Sequence, residues 1–164
     1  EEGYYVTIKH FACNNQEENR TAVSSNVGER ALREIYLRGF EEAVRAGGAK
    51  GVMTSYNRIN GVYTPNSHDL CTKVLRQEWG FGGVVMTDWN STMGGRASSA
   101  AALRAGNDLI MPGGSSYKRE ILQALRANLI DEADLRRCCG NVIRSILDSA
   151  VQKNCIDTPD GETP

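Results

Sequence analysis

The chain has 164 residues, which is enough for one domain with a hydrophobic core. Its 19 basic and 20 acidic residues leave a net charge of −1, so the charge balance does not favour a nucleic-acid or anionic-membrane partner. No stretch approaches the roughly 18 consecutive apolar residues of a membrane span, and none is predicted.

The cysteines indicate free thiols rather than a metal or redox site. Their number is odd and no pair has the CxxC spacing. They are Cys13, Cys71, Cys138, Cys139 and Cys155. No GxGxxG or GxxxxGK[ST] run follows a predicted strand, so a nucleotide cofactor has no support. We therefore expect no metal and no cofactor, and mostly buried thiols in a cytoplasmic protein, with a secreted or periplasmic location left open.

Strand and helix patterns alternate along the chain. Short runs rich in β-formers or apolar residues predict strands over 4–11, 51–56, 84–87 and 107–111. Apolar residues at helical spacing, caps and small-residue runs predict helices over 29–46, from 66 or 67 to 78, and over 95–105, 116–127 and 132–150. Asp131 is the expected N-cap of the last helix. Residues 57–65 are predicted to form a polar loop.

Four strand–helix repeats predict an α/β fold built from parallel β/α units. Such units suit an open doubly wound sheet or half of an eight-stranded barrel. Polar residues follow each predicted strand, which favours a barrel with its site at the C-terminal mouth. Half a barrel would leave two open edges, so we expect a fragment whose first four strands are missing or are supplied by another copy, as in a homodimer.

The run from Trp79 to Asn90, WGFGGVVMTDWN, ends a buried strand on Asp88, where α/β folds place reactive groups. By position alone, a cap of the following turn is the more common role for such an Asp, and the family resemblance below is what favours a functional one. Lys9 and His10 end the first strand in the same way, and charged residues at strand ends are often simply exposed.

Several motifs together resemble glycoside hydrolase family 3, the β-glucosidase-type enzymes. The segment GFGGVVMTDW resembles the family's nucleophile signature, and KHFACNNQEENR resembles its KHF-x-x-N-N-x-E-x-x-R segment. The segments VMTSYNRING and AGNDLIMPG also match, in the family's order. The resemblance reaches about residue 154. It implies that residues 1–152 are part of the family's TIM-type (β/α)8 barrel domain, about strands 5–8, and that 153–164 form a linker toward a C-terminal domain.

The resemblance also implies residue roles. Asp88 would be the nucleophile of a retaining hydrolase that releases non-reducing terminal β-linked sugars. Residues matching the family's sugar-binding positions would line the first subsite. They are Lys9, His10, Arg20, Met53, Tyr56 and Trp89. The acid/base residue usually comes from a second domain, so the 164-residue chain by itself is expected to be inactive.

Other functions stay open at this point. A β-N-acetylglucosaminidase of the family would carry a KHFPGHG-like run, where this chain has KHFACNN. A β-xylosidase preference is not distinguished from a β-glucosidase one. A non-catalytic sugar-binding barrel and an aldolase-like barrel using Lys9 are the alternatives from other classes, and the latter needs a desolvated lysine.

Overall fold

The computed structural model describes residues 5–149, which contain six strands. The strands are β1 Thr7–Phe11, β2 Ser24–Ser25, β3 Gly51–Thr54, β4 Arg58–Ile59, β5 Val62–Tyr63 and β6 Val84–Met86. A central parallel sheet has the order β1-β3-β6, and a second small sheet has the order β2-β4-β5. The parallel β/α order predicted from the sequence is therefore present, with each connection in the central sheet passing through helical segments.

The helices lie between and after these strands. They are α1 Glu29–Ala31, α2 Arg38–Arg45, α3 Ser99–Ala105, α4 Ser115–Arg126 and α5 Glu132–Leu147. π-Helical segments cover Leu32–Tyr36 and Asp69–Glu78, and a 3-10 turn covers Thr64–Asn66. Asp131 caps α5 as predicted, because its side chain accepts a hydrogen bond from the Asp134 N–H in a capping box. No helix within residues 5–149 is long and apolar enough to cross a membrane.

Three predicted elements differ from the structure. The loop predicted over 57–65 contains the β4–β5 hairpin, which turns at Asn60-Gly61 with positive φ at both residues. The fourth strand, predicted over 107–111, is reduced to one parallel bridge between Met86 and Leu109. The helix predicted over 95–105 begins only at Ser99, where the Ser98 side chain caps it. The predicted ends at residues 4 and 150, and the linker over 153–164, lie outside the described residues.

The main core lies between the central sheet and two helical regions, residues 29–45 and residues 69–78. Phe11, at the end of β1, is fully buried and packs edge-on against Phe40 at 5.0 Å and Trp79 at 5.9 Å between ring centroids. Val52 on β3 and Val85 on β6 are also fully buried. This packing fixes the strands, so the residues after each strand meet at one edge of the sheet.

Gly51 begins β3 and Gly83 immediately precedes β6, and a larger residue would clash at either position. A Cβ on Gly51 would lie 2.4 Å from the Thr7 Oγ1 atom, and one on Gly83 would lie 2.1 Å from the Lys50 carbonyl oxygen. The second contact is with backbone, which cannot move aside as a flexible side chain can. The entry ends of β3 and β6 therefore require glycine for close approach.

Candidate active site

Asp88 lies two residues beyond the end of β6, with its side chain 11% exposed. Its Oδ1 atom accepts a hydrogen bond from the Trp89 N–H at 2.6 Å. Its Oδ2 atom lies 3.4 Å from Nε2 of His10, which is on β1. The strand order places β3 between these two residues, so their contact spans the sheet at the carboxyl ends of the strands.

Tyr56 follows β3 and lies beside the same carboxylate. Its hydroxyl donates to the Trp89 carbonyl oxygen at 2.6 Å. Burial raises the pKa of Tyr56, and the negative charge of Asp88 raises that pKa further, against a smaller opposing effect of Arg20. The phenol therefore stays protonated at neutral pH and keeps its role as a hydrogen-bond donor.

Arg20 reaches this group from the loop after β1. Its guanidinium carbon lies 4.6 Å from the centroid of the Tyr56 ring, within cation–π range. Its Nη1 atom is 2.7 Å from Oε2 of Glu17. Glu17 was not predicted as a site residue. Its position three residues before Arg20 in the matched segment was the signal that could have identified it.

The structure links five of the seven predicted site residues by direct contact, namely Asp88, His10, Tyr56, Trp89 and Arg20. Trp89 is 55% exposed, which leaves its indole face free for a ligand. Met53 is half-buried on β3, paired in register with Met86 of β6. Lys9 is exposed, and its side chain makes no hydrogen bond or ion pair with residues 5–149.

The turn after Asp88 has a further anchor that the sequence did not indicate. The Tyr117 hydroxyl, on α4, donates to Oδ1 of Asn90 at 2.8 Å. Tyr117 lies 27 residues from Asn90, and no local pattern connects the two.

Asp108 lies beside Val85 of β6 and has a structural role. Its side chain is fully buried and forms an ion pair with Arg76 at 2.6 Å. It also accepts hydrogen bonds from the Val85 N–H and from the Asn141 amide, both at 2.9 Å. A carboxylate that is satisfied in this way is not available to a ligand.

The thiols of the described residues are free. Those of Cys13, Cys71 and Cys138 are buried, whereas that of Cys139 is exposed. Burial raises the pKa of the Cys71 thiol to about 12 and those of Cys13 and Cys138 to about 11. Within residues 5–149, no group of three or more His, Cys, Asp or Glu side chains could hold a metal ion.

Several grooves of the described chain lie along its helices. One of about 630 Å³ runs between α3 and α5, one of about 510 Å³ between α3 and α4, and one of about 360 Å³ between α1 and the π-helix Asp69–Glu78. None of these three includes Asp88 or His10. Asp88, His10, Tyr56 and Trp89 form one wall of a site at the carboxyl edge of the sheet.

Comparison with known proteins assigns this wall to a family. The model of the glycosyl hydrolase family 3 N terminal domain matches residues 1–144. A β-glucosidase of Ruminococcus albus is 44% identical over 149 residues, covering 86% of this chain and 16% of that protein. An exo-α-(1→6)-L-arabinopyranosidase of Bifidobacterium longum is 45% identical over 142 residues, covering 86% of this chain and 18% of that protein.

Solved structures of β-glucosidases are also similar to this chain. The structure of β-glucosidase 3B from Thermotoga neapolitana in complex with glucose matches with a TM-score of 0.85 at 44% identity, covering 93% of this chain and 22% of that one. This likeness confirms the predicted fold class, the parallel β/α units of a TIM-type barrel. The chain spans about a fifth or less of the length of these relatives.

Proposed function

Because the chain belongs to glycosyl hydrolase family 3, within the N-terminal domain of that family, we propose that it supplies the nucleophile wall of a retaining β-glucosidase. The observation that carries the proposal is the contact cluster around Asp88 at the carboxyl edge of the sheet. A carboxylate beside His10 and Tyr56, next to an exposed indole, suits attack on a sugar bound against that indole.

In the proposed reaction, an Asp88 carboxylate oxygen forms a bond to the anomeric carbon while the bond from that carbon to the aglycone oxygen breaks. The departing oxygen takes a proton from a second carboxyl group. Water then attacks the same carbon and gives a proton to that second group, the bond between the carbon and Asp88 breaks, and the sugar leaves with its original anomeric configuration. Hydroxyl groups of the sugar are held by His10, Arg20 and Lys9, which provide several N–H donors.

The second carboxyl group is proposed to lie outside residues 5–149. The described groups that interact with the Asp88 carboxylate are the His10 imidazole, the Tyr56 hydroxyl and the Trp89 amide, and none of them is a carboxylic acid. We propose that residues 1–152 are part of the barrel and that residues 153–164 are a linker toward the domain that carries the acid. The 164-residue chain alone should not hydrolyse aryl β-glucosides, and measurable turnover would contradict this.

The sugar is proposed to be glucose, with Met53 and Trp89 as apolar walls of its subsite. An arabinopyranose is the second candidate, because the Bifidobacterium relative named for that activity is as similar as the β-glucosidases. The free thiols of the described residues favour a cytoplasmic protein.

The test is covalent labelling of the complete protein that contains this chain. A 2-deoxy-2-fluoro-β-glucoside with a good leaving group should add one fluoroglucosyl group to the peptide containing Asp88, as measured by mass spectrometry. Asp88→Asn should abolish the label, and Asp69→Asn, a matched change at an exposed carboxylate paired with Lys73, should retain it. Labelling of another carboxylate, or unchanged labelling of Asp88→Asn, would refute the assignment.

A further inference from the structure

We propose that Tyr117 is a positioning residue for this reaction, which acts through Asn90 to fix the turn that carries Asp88 and Trp89. The inference rests on the proposed function. It assigns to α4, whose residues do not reach the Asp88 carboxylate, a part in holding the sugar subsite.

Tyr117 is placed to hold the turn without touching a ligand. Its side chain is in the first turn of α4 and is only 5% exposed. Its hydroxyl donates to Asn90 Oδ1 at 2.8 Å, and this bond is part-buried. Burial raises the pKa of Tyr117, so the phenol remains a neutral donor. A buried tyrosine normally needs such a partner for its hydroxyl.

Asn90 is held in the turn by hydrogen bonds to both its backbone and its side chain. Its backbone is left-handed, with φ 59°. Its N–H donates to the Met111 carbonyl oxygen at 3.0 Å, and its own carbonyl oxygen accepts from the Met93 N–H at 3.1 Å. The Arg96 guanidinium adds a weaker bond to the same oxygen at 3.4 Å. The Tyr117 bond is the one that fixes the Asn90 side chain.

Asn90 directly follows Trp89, so what holds Asn90 also orients Trp89. On one side, Tyr56 binds the Trp89 carbonyl oxygen at 2.6 Å. On the other side, Tyr117 holds Asn90. Trp89 is 55% exposed, so packing holds its side chain only in part, and the position of its backbone decides where the indole can lie. We infer that the two tyrosines together set the angle of the indole face against the sugar.

The consequence is a specific kinetic pattern. Removing the Tyr117 hydroxyl should weaken sugar binding, so KM and the inhibition constant of glucose should rise by about three- to tenfold, the range that one neutral hydrogen bond is worth. The kcat value should fall by less, about twofold or under, because Asp88 keeps its contact with His10. Loss of packing alone would lower thermal stability without this split.

The experiment compares Tyr117→Phe, Asn90→Gly and the double variant in the complete protein. Phenylalanine keeps the buried ring, and glycine removes the acceptor while tolerating the left-handed backbone. The two changes should be non-additive in kcat/KM, so that the double variant is about as impaired as either single one. Tyr63→Phe is the matched control, because its hydroxyl takes part in a 2.8 Å hydrogen bond with Arg58 in the small sheet.

The outcomes separate this inference from the proposed function. Unchanged KM and glucose inhibition in Tyr117→Phe, additive effects, or equal effects of Tyr63→Phe would each overturn the positioning role. If Tyr117→Phe folds poorly, Asn90→Gly with unchanged KM would also overturn it. Absence of the fluoroglucosyl label at Asp88 in the wild-type protein would instead refute the proposed function.

Discussion

Substitution of Asp108 by asparagine is expected to destabilise the protein strongly while leaving the chemistry proposed for Asp88 intact. The Asp108 side chain is fully buried, and its Oδ2 atom serves both Arg76 at 2.6 Å and the Val85 N–H at 2.9 Å. Its Oδ1 atom accepts from Asn141. Asparagine has one oxygen in place of two and no charge, so it leaves the largely buried Arg76 guanidinium without its counterion.

The magnitude follows from this burial. Removing one partner of a buried ion pair costs about 3–5 kcal/mol, because the remaining charge stays desolvated. Asparagine keeps one acceptor, which favours the lower end, about 3 kcal/mol. For a unit of about 150–250 residues this corresponds to a fall in Tm of roughly 6–12 °C. The measurement is calorimetric or circular-dichroism melting of the complete protein, alongside kcat at 25 °C.

The control removes the same kind of charge at the surface. Glu78 and Arg33 form an ion pair at 2.6 Å, but both side chains are 42% exposed. Exposed pairs are worth about 0–1 kcal/mol, so Glu78→Gln should move Tm by only about 0–4 °C. Equal losses in the two variants would refute the reasoning that burial decides the cost. A large fall in kcat at 25 °C for Asp108→Asn would refute its separation from the site.

Two further predictions concern the loop after β1 and the thiols. Glu17→Gln should raise KM by about threefold, because its ion pair orients Arg20, and should leave Tm unchanged, because an exposed ion pair adds little stability. The control is Glu34→Gln, which removes an exposed helix pair with Arg30 and should change neither KM nor Tm. An unaltered KM in Glu17→Gln would contradict this role of Glu17. Among the described cysteines, iodoacetamide at pH 8 should alkylate Cys139 in the folded protein, since the thiolate is the nucleophile and the buried thiols stay protonated until the pH approaches their raised pKa values. Modification of a buried thiol at equal rate, found by peptide mass spectrometry, would show that the packing around it opens.

The parts of the fold that the sequence predicted well are those with a local cause. An apolar run behind glycines is enough to place β6, and with it Asp88, because buried parallel strands carry this pattern. Asp131 was predictable as an N-cap because the capping chemistry depends on residues within one turn. The matched family motifs identified His10, Tyr56 and Trp89 as candidates. The contacts that each of them makes around Asp88 were visible only in the structure.

The parts that were missed depend on distant or very short features. Each strand of the β4–β5 hairpin has two residues, too few for an alternating pattern, although the Asn60-Gly61 turn was visible. The fourth strand is cut to a single bridge at Leu109, and the Met111 N–H further along donates to the Thr87 hydroxyl oxygen rather than to a backbone carbonyl oxygen of β6. Tyr117 meets Asn90 only because α4 folds back against the turn, and no spacing in the chain encodes that meeting.

The glycines at the entry to β3 and β6 affect how this protein could be redesigned. Gly83 begins a run of about five residues, roughly 16 Å of extended chain, that ends at Asp88, so the tightest steric limit lies far from the chemistry. A library that varies both ends of the strands equally would lose most of its members at Gly51 and Gly83 for reasons unrelated to substrate preference. Diversity confined to the exposed positions Trp89 and Arg96 would leave the sheet intact and vary the proposed sugar subsite directly.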